Sequence, residues 1–308
     1  MFRRFHNIYP ALLAVTVLTM VTACGSDDGD GPNLLPNGQQ PSQQGNGLEP
    51  DEKIIAARIE VPALKPGNKF IYHSTKEGGR NVMNYCVDFD LQKRHSRWVA
   101  FRFDGDTRVK ATNRSDEPFT DDPELPSTAW VGGYGFGSPY NRGHLCASYD
   151  RLYSEKANEQ TFYMSNISPQ ESSLNQGYWI TLENIVSNCG RMVSFADTLY
   201  VVKGGAIDKP EHIRGYLNRS SGQMAIPKYY FMALLRVKSR SYTSIAFWVE
   251  NKRYGYTYEN PAPRSEIAKN ALSVDSLESL TGIDFFHNLP DNIENQVEAT
   301  FNFNDWNK

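Results

Sequence analysis

The sequence predicts an α+β domain with a sheet-rich core, on three observations. Six segments carry strand patterns, only two carry helix patterns, and the chain from Val61 to Lys308 has no internal repeat. A stretch of that length is enough for one large domain. Residues 81–92 (NVMNYCVDFDLQ) alternate, and 97–103 (RWVAFRF) are aromatic and β-branched. Then come 161–167 (TFYMSNI), 198–205 (TLYVVKGG), 228–237 (KYYFMALLRV) and 242–250 (YTSIAFWVE), most bounded by Gly, Pro or polar clusters. One helix begins near Asn175, with Tyr178, Leu182, Ile185 and Val186 as its buried stripe and Gly190 as its stop. The other runs through 273–282, with Ser273 as N-cap and Asp275 in the first turn.

The segments ahead of this domain differ from it. Arg3 and Arg4 precede an apolar run that is too short to span a bilayer and ends at a small residue, so residues 1–23 are expected to be a secretory signal. The junction VTAC resembles the lipobox of bacterial lipoproteins, which implies lipidation of Cys24 and a membrane anchor. An ordinary signal peptide with a chance Cys is the alternative. Residues 24–60 are expected to be a flexible acidic tether, since 25–47 are rich in Gly, Pro, Gln and Ser and have little to bury. The SDD behind Cys24 resembles acidic signals that send some lipoproteins to the outer surface. The expected location is therefore the cell envelope, at the outer membrane and surface-exposed.

The formal charge of -3 has a definite address. Setting aside Arg3 and Arg4, then seven acids and two bases in 24–60, leaves 28 charges of each sign in the domain. A neutral domain argues against a broad nucleic-acid-coating surface and leaves room for a local basic cleft. Cys86, Cys146 and Cys189 allow one disulfide and one free thiol in an oxidising compartment, with the pairing open. No Cys/His cluster has zinc spacing.

Two segments carry chemistry. In NRGHLCASYDR, Arg142 offers a planar donor fork suited to a phosphate, and Gly143 permits close backbone approach. His144 is placed to take a proton from a water attacking that phosphate. His73, His95, His212 and His287 lack such neighbours and read as structural or surface residues. Downstream, Asn175 and Glu183 lie eight residues apart, about 80° past two full helical turns and so on one side of a helix. An amide oxygen and a carboxylate so placed suit a Mg²⁺ that keeps most of its waters, with Glu183 behind those waters. On spacing alone, a helix N-cap at Asn175 and a solvated Glu183 are the favoured reading.

With NRGHLCASYDR (141–151), TFYMSNISPQESSLNQGYWITLE (161–183) and LTGIDFFHNLPDNIENQVE (280–298) in order, the chain resembles the DNA/RNA non-specific endonucleases. These belong to the ββα-metal (His-Me finger) superfamily and include endonuclease G. The resemblance runs from about Gly67 to Glu298, and Asn166, Pro169, Gln170, Gly177 and Trp179 match alongside Asn175 and Glu183. It implies a hairpin bearing His144 facing a helix bearing Asn175, with one Mg²⁺ between them or another divalent ion such as Mn²⁺. His144 then matches the general base, Asn175 the sole protein metal ligand, and Glu183 the supporting carboxylate. Asn166 matches the Asn that positions the site, and Arg142 the arginine of the DRGH motif. Arg114 and Arg191 are candidates for further phosphate contacts. The implied activity is hydrolysis of DNA and RNA to 5′-phosphate ends. Two positions depart from the pattern: Asn141 replaces the motif's acid, and Tyr149 replaces a small residue. Two other readings stay open: a catalytically weak nucleic-acid-binding lipoprotein, which the Asn141 change motivates, and a phosphodiesterase acting on another substrate at the same site.

Overall fold

The computed structural model describes residues 47–306. The signal peptide, Cys24 and the first part of the tether lie outside the described residues. In chain order the strands are β1 (Lys69–Glu77), β2 (Arg80–Asp90), β3 (His95–Phe103), β4 (Tyr140–His144), β5 (Ile167–Glu171) and β6 (Thr198–Gly205). They continue with β7 (Ile213–Arg219), β8 (Gly222–Pro227), β9 (Tyr229–Lys238), β10 (Ser241–Glu250) and β11 (Ala271–Leu272). The helices are α1 (Pro50–Ala56), α2 (Glu155–Gln160), α3 (Trp179–Arg191), α4 (Arg264–Ala268), α5 (Val274–Thr281) and α6 (Asp291–Glu298).

Seven strands form one sheet in the order β1-β2-β3-β6-β9-β10-β11, with every pairing antiparallel. The expectation of an α+β fold with a mixed or antiparallel central sheet holds, and the sheet is antiparallel throughout. Both faces of this sheet are covered, which strand alternation makes visible. Val99, Phe101 and Phe103 of β3 join a core with Leu182, Ile185 and Val186 of α3. Trp98 and Ala100 join a second core with Val274 and Leu277 of α5 and Val297 of α6.

Several expectations change. Folding begins before residue 61, because Leu48, Ile55, Ala56 and Ile59 pack on the second core and buried Glu60 pairs with Arg58 at 2.7 Å. Residues 161–166 are not a strand: Thr161 and Phe162 turn, Tyr163 makes an isolated bridge to Thr120, and 164–166 form a 3₁₀ turn ahead of β5, which Ile167 opens. The cause is Asn166, whose side chain is drawn inward to buried backbone groups. Gly190 lies inside α3 and does not stop it; a Cβ there would meet the Phe103 ring at 2.3 Å. No disulfide joins Cys86, Cys146 and Cys189 to one another; all three are buried, with Cys86 in the second core and the other two in the first. The sheet thus separates Cys86 from both. Ser273 does cap α5, accepting from Ser276 N.

Candidate active site

Strand β4 pairs antiparallel with β5, from Tyr140 opposite Glu171 to His144 opposite Ile167. The chain turns from β5 directly into the helix, so strand, strand and helix meet at one cleft. Glu171 starts that helix: its Oε2 accepts from Ser173 N at 2.8 Å, from Ser173 Oγ at 2.7 Å and from Leu174 N at 3.1 Å. Capping therefore falls to Glu171, and Asn175 is free of that duty.

Leu174–Tyr178 form a π-helical turn ahead of α3. A π-turn takes up one residue more than an α-turn, which removes about 100° from the helical angle between Asn175 and Glu183. The separation becomes about 20°, so the two side chains stand nearly one above the other. Neither makes a side-chain hydrogen bond among the described residues.

The cleft holds about 610 Å³, and Arg114, Arg142, His144, Asn175 and Glu183 all line it. Alternation along β4 sends Arg142 and His144 to the same side, where Phe119 lies 4.0 Å from the Arg142 guanidinium and 5.5 Å from the His144 ring. Phe162 meets the same imidazole edge-on at 5.3 Å. Held between two aromatic rings, His144 keeps Nε2 without a hydrogen-bond partner. Burial foremost, then Arg114, Lys203 and Arg142, lowers its pKa to about 3, so it is neutral across the physiological range. Glu183 moves the other way, up to about 7. Burial is the main cause and Asp150 adds to it, while Lys203 and Arg114 oppose it.

Asn141 and Gly143 point to the opposite side of β4. A Cβ at Gly143 would fall 2.1 Å from Gln170 Oε1, so the close approach needed there is to the neighbouring strand. Asn141 accepts from Ser172 Oγ at 3.2 Å, turned away from His144. Asn166 fastens the end of β4: it accepts from Cys146 N at 2.7 Å and donates to the carbonyls of Cys146 and Thr161 at 2.8 Å. Three bonds on a buried amide fix the backbone that carries His144.

Arg114 reaches the cleft, donating to Ser148 Oγ at 2.6 Å with its guanidinium 4.8 Å from the Phe162 ring. Arg191 does not line it. Its guanidinium donates to the carbonyls of Arg108, Val109 and Tyr149, which places it as a brace behind the rim. Beneath the floor lie two residues that sequence reading passed over, Lys203 and Asp150, both fully buried and 3.4 Å apart. Ser187 of α3 donates to the same aspartate. A lone Lys at an inward position of an otherwise apolar strand was the available signal. Exposed Tyr149 and Tyr258 complete the rim.

The donors presented, an amide oxygen and a carboxylate with no thiolate, fit a hard oxygen-seeking cation such as Mg²⁺. Unpartnered His144 Nε2 stands in the same cleft, ready to accept a proton.

The family model for DNA/RNA non-specific endonucleases matches residues 66–292, well over half of the chain. The chain belongs to the DNA/RNA non-specific endonuclease family. This is a family of hydrolytic, metal-dependent nucleases, and its members here include proteins of quite different origin. The mitochondrial nuclease EXOG of Mus musculus is 28% identical over 222 residues, which are 68% of this chain and 57% of that protein. The chain thus spans little more than half the length of that relative. A nuclease of Nostoc sp. is 28% identical over 221 residues, 70% of this chain and 75% of its own. The crystal structure of an EndoG/EndoGI complex shares the fold at a TM-score of 0.55 and 20% identity, covering 72% of this chain and 89% of that one.

Proposed function

We propose that this endonuclease-family domain hydrolyses phosphodiester bonds of DNA and RNA with little sequence preference, using Mg²⁺ and leaving 5′-phosphate ends. One observation carries the reading: a neutral imidazole with a free Nε2 shares a cleft with two arginines and an oxygen-donor pair.

His144 Nε2 takes the proton of the attacking water, and low basicity keeps it ready to do so at neutral pH. Arg142 and Arg114 hold the phosphate, their guanidiniums kept over the rings of Phe119 and Phe162. Asn166 keeps the His144 backbone in place, and Arg191 braces the rim. Asn175 and Glu183 would hold the cation, which when bound offsets the charge growing on the phosphate and the departing 3′-oxygen. Departure of the 3′-oxygen leaves the phosphate on the 5′ side. Lack of sequence preference follows, since these groups address the phosphate rather than base edges.

The test is incubation of the protein with plasmid, RNA, single-stranded DNA and a small diester, with Mg²⁺ and with EDTA. EDTA-sensitive loss of DNA and RNA is expected. Binding without degradation would leave a nucleic-acid-binding lipoprotein, and turnover of the diester alone would leave another phosphodiesterase. The Cys24 anchor completes the proposal, with the domain carried on the outer membrane surface. Cys24→Ser should move the protein from the membrane to the soluble fraction, and continued membrane pelleting would refute the anchor.

A further inference from the structure

A second cluster of oxygen donors lies across the sheet from the cleft, where α5 and α6 pack on the second core. Asp275 and Glu278 are three residues apart and share a face of α5, and Glu298 ends α6. One carboxylate oxygen from each lies within 4.8 Å of the other two. Glu298 is only 3% exposed, and its Oε1 has no hydrogen-bond partner. Glu278 Oε1 accepts from Phe285 N at 2.7 Å, leaving its other oxygen for the cluster.

The charges acting on Glu298 are Glu278, Glu294, Asp275 and Asp284, all of the same sign. The main charges acting on Glu278 and Glu294 are acids as well, with Asp284 and Asp275 acting on both. A buried carboxylate ordinarily has a cationic partner, since burying an unpaired charge is costly.

We propose that Asp275, Glu278 and Glu298 form a Ca²⁺ site that ties α6 to α5, separate from the cleft. The donors are all carboxylate oxygens, as a hard cation requires. Three acids suit Ca²⁺, which accepts many oxygens in a flexible shell, better than Mg²⁺, which keeps its waters and takes one or two carboxylates. Oxygens on opposite sides of a Ca²⁺ at about 2.4 Å are about 4.8 Å apart, so three oxygens within 4.8 Å of one another fit inside a single such shell. Exposed Asp275 and half-buried Glu278 give the ion a route in from solvent.

The experiment is thermal unfolding of the full chain in detergent, after EDTA treatment and then with CaCl₂. Wild type should gain about 5 °C in Tm, saturating with Ca²⁺. Glu298→Gln should unfold no earlier than metal-free wild type and lose the response. Should that variant fail to fold, exposed Asp275→Asn should weaken the apparent Ca²⁺ affinity at least tenfold. Asn175→Ala should keep the response, which separates it from any ion in the cleft. The proposal fails if wild type shows no Ca²⁺-dependent shift. It fails equally if Asp275→Asn and Glu298→Gln respond like wild type, or if Asn175→Ala abolishes the response.

Discussion

Replacing Lys203 by methionine removes the cation paired with Asp150 beneath the cleft while keeping an unbranched side chain beside the Phe101 ring. Its partner Asp150 is fully buried and would retain only the Ser187 hydroxyl among its hydrogen-bond donors. At 3.4 Å and an effective dielectric constant near 20, the lost attraction is about 5 kcal/mol. Breaking a buried pair from one side costs about 3–5 kcal/mol, and a domain is stable by only about 5–15. Lys203→Met should therefore lose about 3–5 kcal/mol in denaturant-induced unfolding. Asp150→Asn in the same chain keeps an acceptor for Ser187 and removes the stranded charge. The double variant should recover most of the loss, with a coupling energy of about 3 kcal/mol. Lys203 also holds down the pKa of Glu183, so its removal should raise the Mg²⁺ concentration needed for half-maximal activity. A Lys203→Met protein within about 1 kcal/mol of wild type, or two substitutions that simply add, would refute the buried-pair reasoning.

His144→Ala should slow cleavage by about 10²–10⁴ with the fold intact, measured as initial rates on plasmid at saturating Mg²⁺; wild-type rates would remove His144 from the chemistry. Asn175→Ala should weaken Mg²⁺ binding and activity together, and calorimetric titration showing unchanged affinity would leave the residue without a role at the ion. His95 bonds to Ser96 O at 2.7 Å and Ser168 Oγ at 2.5 Å, and burial lowers its pKa from 6.5 to about 4. The unfolded chain takes up this proton first, so stability should fall as pH drops from 6.5 to 4, by about 3 kcal/mol, and His95→Gln should flatten that part of the profile. Asn141→Asp should shift the acidic limb of the pH–rate profile by about 0.3 unit, because three strand residues put the new charge about 10 Å from His144 and on the other side. A shift of a full unit would contradict that geometry.

The residues whose placement depends on a few neighbours were legible in the sequence. Arg142 and His144 are two apart on one strand, so pleating alone puts them on the same side. Asn175 and Glu183 share a helix, and their spacing already put them on one flank before the π-turn brought them into line. The α+β class and the edges of β3, β6, β9 and β10 were equally readable, because long apolar runs leave a strong periodic trace. Tertiary structure decided what sums over distant segments. Lys203 from β6 and Asp150 from the loop after β4 meet only when the sheet and α3 close over them. Phe119 and Phe162 come from separate loops to enclose His144, and together with the three cations they set its basicity. Arg191, judged from its place after the helix, turns instead to carbonyls that come from elsewhere in the chain. Residues 161–167 look like a strand by composition, yet the three bonds available to Asn166 in the folded interior outweigh that local preference. Periodicity reports how a segment sits on its own axis, whereas burial and electrostatics depend on what the rest of the chain brings against it.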